Sequence, residues 1–398
     1  MFAPTLNRKV HVALSVLMTL SLLTNCGGGV GSGGTGSAVS TVAVGPISGY
    51  GSIIVNGVRF DDSKAIVQSD DGGTRTRADL KLGMVTEVDG SDLTTAAGKQ
   101  SATASSIRIV SAIVGPVTGV NPSTASLTVL GQTVLVTPAT VFDDKLAGGL
   151  GNIGPGAIVE VYGRYDAARS RYTATRIERR TEATFFKLRG PISAIDLGAK
   201  ILTVGGQAIS YAGLTTLGNV GALLGVIVRT QLNLTANNGV WTAVALQAGA
   251  LALPDRDDAQ VEGRISAWTS SRQFSIDGIP VDASAASFSG SEAAVILGAR
   301  VEVQGSSSGG VLHASVVKVE GDEDVTNSSF ELHGEVESLD ITAKTFSLRG
   351  VTVNYGGAVQ FESGGPSDLA LGRSVQVQGT LSRDGVSIDA LNISFEGS

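Results

Sequence analysis

The chain has one cysteine and three histidines in 398 residues, and these two shortages exclude the most chemistry. A single thiol, Cys26, cannot make an internal disulfide, so an exported form must hold together by packing. With Cys26 consumed by modification, only His313 and His333 follow the N-terminal apolar stretch, and no Cys/His zinc set can be built. A Ser-His-Asp hydrolase would have to use one of the same two histidines, and no Gly-x-Ser-x-Gly elbow leads into a helical pattern. Aromatics are 5% and charged residues 16%. Acidic residues outnumber basic ones, 36 to 29, for a formal charge of −7. That balance argues against a nucleic-acid binder, whose footprint is basic. Beyond residue 23 no apolar run reaches the roughly 20 residues of a membrane-spanning helix.

Glycine is abundant instead, with 53 residues among scattered Val, Ile and Leu. This composition suits many short strands and turns. It also follows a repeat. Gly-x-Ile/Val recurs at Gly45, Gly115, Gly190, Gly263 and Gly334, about 70 to 75 residues apart. Next comes an apolar alternation broken by glycine: Asn56-Gly57, Leu130-Gly131, Gly205-Gly206, Asp277-Gly278 and Arg349-Gly350. A third landmark is a strand framed by glycines, Gly83 to Gly90, Gly156 to Gly163, Gly298 to Gly305 and Gly372 to Gly379. Unit three opens it with Gly225 but has Leu232 at its close. The fourth is Ala-x-x-Ile/Val/Leu, beginning at Ala104, Ala174, Ala243, Ala314 and Ala390.

Each landmark has a physical reading. Asn-Gly and Asp-Gly are the pairs that type I′ hairpin turns prefer, because both central residues need positive φ. Val301-Glu302-Val303-Gln304 alternates with period two, as a half-buried strand does. Ala78 to Gly83 and Ser367 to Gly372 read as single helical turns closed by a left-handed glycine. Each unit is therefore about five strands. So small an antiparallel sheet must close or be covered to hide its edges. The expected fold class is all-β, a tandem array of five small five-stranded, OB-like β-barrels. A small two-sheet sandwich is the second choice and a five-bladed propeller the third.

The N-terminus has the parts of an export signal: Arg8 and Lys9, the apolar stretch Val10 to Leu23, then Leu23-Thr24-Asn25-Cys26 and a glycine tract. This resembles a bacterial lipoprotein signal with its lipobox, although Asn25 stands where Gly, Ala or Ser is usual. An ordinary signal peptide with a chance cysteine is the alternative. By the same resemblance, Gly27 rather than Asp after the cysteine implies the outer membrane. The expected layout is a signal peptide over 1–25, a lipid-bearing Cys26 with a Gly/Ser-rich tether over 26–42, and repeats over 43–110, 111–182, 183–254, 258–322 and 326–398. The continuous apolar run from Ile107 to Val114 predicts a stiff joint between units one and two. Acidic segments at Pro254–Asp258 and Glu320–Asp324 predict flexible joints. Unit one carries Ile53 to Phe60 (Ile-Ile-Val-Asn-Gly-Val-Arg-Phe) and Ala78 to Val85 (Ala-Asp-Leu-Lys-Leu-Gly-Met-Val). Behind a lipobox cysteine and Gly-Gly-Gly, these resemble a domain-of-unknown-function family found in tandem in proteobacterial lipoproteins. The resemblance implies a small β-domain and an envelope address, and brings no catalytic residues.

Candidate chemistry is sparse. Asp61-Asp62, Asp70-Asp71, Asp143-Asp144 and Asp257-Asp258 sit beside turns, where such pairs are turn formers more often than catalysts. Asp322-Glu323-Asp324 offers hard oxygen ligands but not the EF-hand spacing, and reads as a solvated linker. No motif calls for a cofactor or metal. The best binding candidate is the unit-two hairpin. If Val159, Val161 and Ile177 face inward, period two turns Tyr162, Arg164, Tyr172, Arg176 and Arg180 outward. Exposed Tyr and Arg favour binding, here of an anionic glycan or an envelope protein. A salt-bridged solvated face is the alternative, since Glu160 and Glu178 share it. The functional expectation is a non-enzymatic, lipid-anchored outer-membrane protein that binds or scaffolds. The runner-up is a polysaccharide or small-ligand module using one OB-like face.

Overall fold

The period-two segments form strands: within Arg300–Ser308, Val301 and Val303 are fully buried while Glu302 and Gln304 are half-buried. A computed structural model describes residues 40–215, 217–249, 253–321 and 329–396. The segment holding Cys26 and the acidic residues Asp322 to Asp324 lie outside them. Thr41 and Val42, expected in the tether, already belong to the first strand. Among the described residues the helical segments are 3-10 turns and the rest of the regular structure is strand.

Unit one shows the plan. Its five main strands are Thr41–Tyr50, Ile53–Val55, Val58–Asp61, Val85–Gly90 and Lys99–Val110. First pairs with second, second with third, third in parallel with fifth, fifth with fourth, and fourth again with first. The five strands thus form a closed circuit, and the edges that remain are those of the two halves of the first strand. The same circuit runs in units two, three and four. Unit five repeats it with its first strand broken into Ser329–Glu335 and Ser338–Asp340.

The landmarks recur as geometry. Asn56, Leu130, Gly205, Asp277 and Arg349 all have positive φ, and so do the glycines after them, as type I′ turns require. In units one, two and four, a side chain on the opening glycine would run into the hairpin packed across it: Gly45 into Asn56, Gly115 into Leu130, Gly263 into Ile276 and Asp277. The fourth landmark and the closing glycine are two sides of one β-bulge. Ladder register shifts between Asp89 and Gly90, Tyr162 and Gly163, Gln231 and Leu232, Gln304 and Gly305, and Gln378 and Gly379.

The units do not hang as separate beads, because Ala38–Ser398 form one compact unit. The first strands explain why. In unit one, Thr41 to Pro46 pairs with the fourth strand, while Ile47 to Gly49 crosses to the second. Each half keeps one edge, and each edge takes an outside partner. Thr41 to Val44 pairs in parallel with Asp258 to Val261 of unit four, and Gly49-Tyr50 with Glu331-Leu332 of unit five. Ile113-Val114 of unit two likewise pairs with Lys187-Leu188 of unit three. The segment expected as a flexible joint before unit four therefore runs, at Arg256–Asp258, into a paired strand. Cores merge accordingly: one cluster joins units one and five, and another joins units two and three.

Candidate functional site

The unit-two hairpin does not present the expected surface. Tyr162, Arg164, Tyr172 and Arg176 are buried and Arg180 is half-buried. There are two physical reasons. The bulge at Gly163 leaves Thr175 as an extra residue, which reverses the alternation. Tyr172 therefore points inward, against Tyr165, with its hydroxyl donating to the Arg189 carbonyl. Before the bulge the outward direction holds, but neighbouring units cover it. Tyr162 joins the core of unit one. Burial holds the Tyr162 phenol well above its ordinary range, with the charges of Glu160 and Glu178 adding to the effect. Arg176 donates to the Leu82 carbonyl of unit one at 3.2 Å and pairs with Glu178 at 2.7 Å. Arg180 pairs with Glu160.

Arg164 reaches unit four and pairs with Glu262 at 2.9 Å. Burial lowers its guanidinium pKa more than Glu262 raises it. Glu262 also pairs with Arg300 at 2.7 Å. Burial would raise the Glu262 carboxyl, but Arg164 and Arg300 outweigh that and hold it below the usual carboxylate range. The network continues through Glu320 to Lys318, at 2.6 Å, and on to Glu302. Burial dominates at Glu302 and pushes its carboxyl up, against a hydrogen bond from Gln304 and the charge of Lys318.

These side chains line a cavity of about 650 Å³ where units one, two, four and five meet. Unit one contributes Ile47 and Asn56 to the wall, unit two Arg164 and Thr173, and unit five Phe330. Arg164 Nε and the hydroxyls of Thr173 and Thr175 have no hydrogen-bond partner among the described residues. Of this site the sequence reading singled out Arg164 alone. It missed Glu262, Arg264, Arg300 and Lys318. A signal was present: Arg264 stands where units one to three have Pro46, Pro116 and Pro191.

The two histidines lie elsewhere. His333 Nε2 is hydrogen-bonded to Glu396 at 2.7 Å, and His313 Nε2 to Ser308 at 3.0 Å. Among the described residues no group of three or more His, Cys, Asp or Glu converges as a metal site. Asp71 forms the expected turn, receiving the Ser69 hydroxyl and the Gly73 amide. Asp70 does not: it is buried between units, against Lys187 and Arg229 of unit three.

Three segments of the chain, 114–178, 262–326 and 333–394, match the model of DUF5666, a domain of unknown function. They fall on units two, four and five, so the chain carries an uncharacterised domain in tandem. The unit-one segments that carry the resemblance lie outside these three matches. A search of curated proteins finds no match to the chain.

Proposed function

We propose that this is a non-catalytic binding or scaffolding protein of the bacterial envelope, held to the outer membrane by a lipid on Cys26, with each unit an OB-type barrel. The first-second-third-fifth-fourth circuit, with third and fifth strands parallel, supports the OB assignment. The observation that carries the binding reading is the cavity. It is concave and lined by charges, of which Arg164 and Arg264 are buried, Glu262, Arg300, Glu302 and Glu320 half-buried and Lys318 exposed, and its volume lies within the roughly 300–1,000 Å³ of ligand sites. Because it lies between units, it favours a ligand seated among barrels over one spread on a single face.

Two measurements test this. Labelled palmitate should enter the chain, and Cys26→Ser should abolish labelling and release the protein into a soluble fraction. Unchanged membrane retention of that variant would remove the anchor. In a pull-down from native envelopes, the acylated chain should recover material that Arg164→Ser does not. Identical recovery would remove the cavity from the reading.

A further inference from the structure

Among the described residues, every strand pairing between units joins two first strands: unit one with unit four, unit one with unit five, and unit two with unit three. A first strand pairs by halves, one half with the fourth strand and the other with the second, and each half leaves one edge for an outside partner. Unit one uses both edges. The second halves of units two to five pair with no other unit among the described residues. An open strand edge is a template for another chain, and proteins guard it with charge or proline. Unit two ends that edge on Asn121-Pro122 and unit three on Asp196, while unit five sets Glu337 and Asp340 around Leu339. Unit four has no such guard, and its edge reads Ser266-Ala267-Trp268-Thr269-Ser270. The next charge, Arg272, lies past the end of this strand and is paired with Glu292 at 3.0 Å.

Unit one shows the same edge covered. Gly49-Tyr50 and Ala267-Trp268 stand four and five residues after the opening glycines Gly45 and Gly263. Both aromatics make the same hydrogen bond. The Tyr50 hydroxyl donates to the Leu80 carbonyl at 2.9 Å, and Trp268 Nε1 donates to the Val295 carbonyl at 2.8 Å. Those acceptors each stand three residues before a left-handed glycine, Gly83 and Gly298. The surroundings differ. Glu331-Leu332 of unit five adds a parallel strand beside Gly49-Tyr50, and the Arg349 guanidinium lies over the Tyr50 ring at 5.8 Å. Tyr50 is accordingly 5% exposed, and Leu82 is buried. Trp268 is 47% exposed, and so are Ile296 and Leu297, the residues after its acceptor, in larger or similar part. Large apolar side chains gathered on a surface beside an open edge mark a contact site.

The pairing pattern names the occupant. First strands in this chain take first strands, and the other halves left unpaired among the described residues are guarded. The unguarded match is the same edge on a second copy. A two-fold axis closes such an interface, whereas a head-to-tail contact would run on as a filament. Pairing about a two-fold axis is antiparallel, as between units two and three, where Val114 meets Lys187 and Ile113 meets Leu188. Centred on Trp268, it sets Ser266 opposite Ser270 and Ala267 opposite Thr269, so no like charges face each other. We propose that two copies of this chain associate through the free edge of the unit-four first strand, antiparallel about a two-fold axis at Trp268. Trp268, Ile296 and Leu297 supply the apolar surface. This association depends neither on the cavity nor on the anchor.

Sedimentation equilibrium of the full chain, in a detergent of matched density, tests it. A monomer–dimer equilibrium is expected, with a dissociation constant on the order of 10 µM, because one short strand pair makes a small interface. Ala267 and Thr269 are exposed, so changing them should keep the wild-type circular dichroism spectrum. Ala267→Lys with Thr269→Lys sets like charges across the axis and should weaken the dimer at least tenfold. Ala267→Glu with Thr269→Glu should do the same. Mixed in equal amounts, the two double variants should form a heterodimer, since opposite charges then face each other. Misfolded variants would not rescue one another in this way. A second measurement needs no variant: backbone amides of 266–270 in the wild type should exchange with deuterium more slowly as concentration rises through the dissociation constant. A wild type that stays monomeric at tenfold higher concentration overturns the proposal, whether water or another segment of the same chain covers the edge. A dimer that neither double variant weakens, or whose amides at 266–270 gain no protection, overturns the site. Folded variants that each weaken the dimer but form no heterodimer overturn the two-fold register.

Discussion

Asp70→Ala is expected to lower the unfolding free energy by about 3–5 kcal/mol, the range for breaking a buried ion pair from one side. Lys187 Nζ pairs with one oxygen of Asp70, and both side chains are at most 2% exposed. Arg229 Nη1 reaches the other oxygen at 3.1 Å. Removing the carboxylate leaves a buried ammonium and a largely buried guanidinium with no counter-charge from Asp70. Lys187 cannot swing out to water, because its strand pairs with Thr230-Gln231 on one side and with Ile113-Val114 on the other. Lys187→Met is the contrasting variant. It removes the costly charge and leaves Asp70 with Arg229, so it should cost under about 2 kcal/mol. Urea unfolding of both variants checks this through the midpoint at constant slope. A midpoint for Asp70→Ala within about 0.5 kcal/mol of wild type would mean that the pair does not join units one and three.

The same carboxylate shows how far the sequence could be read. Local requirements were legible because they depend on neighbours in the chain. A type I′ turn needs two residues with positive φ, so Asn56-Gly57 and Asp277-Gly278 announced their hairpins, and the ladders place them there. Gly83, Gly156, Gly225, Gly298 and Gly372 all take positive φ, as a left-handed stop requires. The bulge was legible in its parts, Gly163 and Ala174, but not as a bulge. One extra residue then turned Tyr172 from the outside to the core. Packing between units was not legible. A polar residue on an outward face looks the same whether water or another barrel covers it. Arg164 and Arg176 kept the predicted direction but met units four and one instead of solvent. A lysine such as Lys187, now fully buried, carried no local mark of its partner on Asp70. The remaining signal was departure from the repeat: Arg264 in place of proline and Arg300 in place of Val or Ile point to pressures that one barrel alone does not impose.

The closing glycine of the bulge should matter only where the strand continues past it. In units two, four and five the fourth strand runs on, as Ile158–Asp166, Arg300–Ser308 and Ser374–Leu381. There a Cβ would press into the partner strand's backbone: Gly163 onto the Thr173 carbonyl, Gly305 onto that of His313 and Gly379 onto that of Asp389. In unit one the fourth strand stops at Gly90, and a Cβ there would lie 3.1 Å from Phe60 and 3.2 Å from the Thr103 carbonyl. In unit three it stops at the same place, and Leu232 occupies it, fully buried. The three units whose strands continue are also the three that match the DUF5666 model. Gly305→Ala is therefore expected to cost roughly 3 kcal/mol, the upper end for overpacking, because a paired backbone must move aside. Gly90→Ala should cost about 1 kcal/mol or less, since a ring edge and a strand end can yield by a few tenths of an ångström. Urea midpoints of the two variants decide it. Equal losses would show that the glycine answers to the bulge itself, and that Leu232 survives in unit three for some other reason.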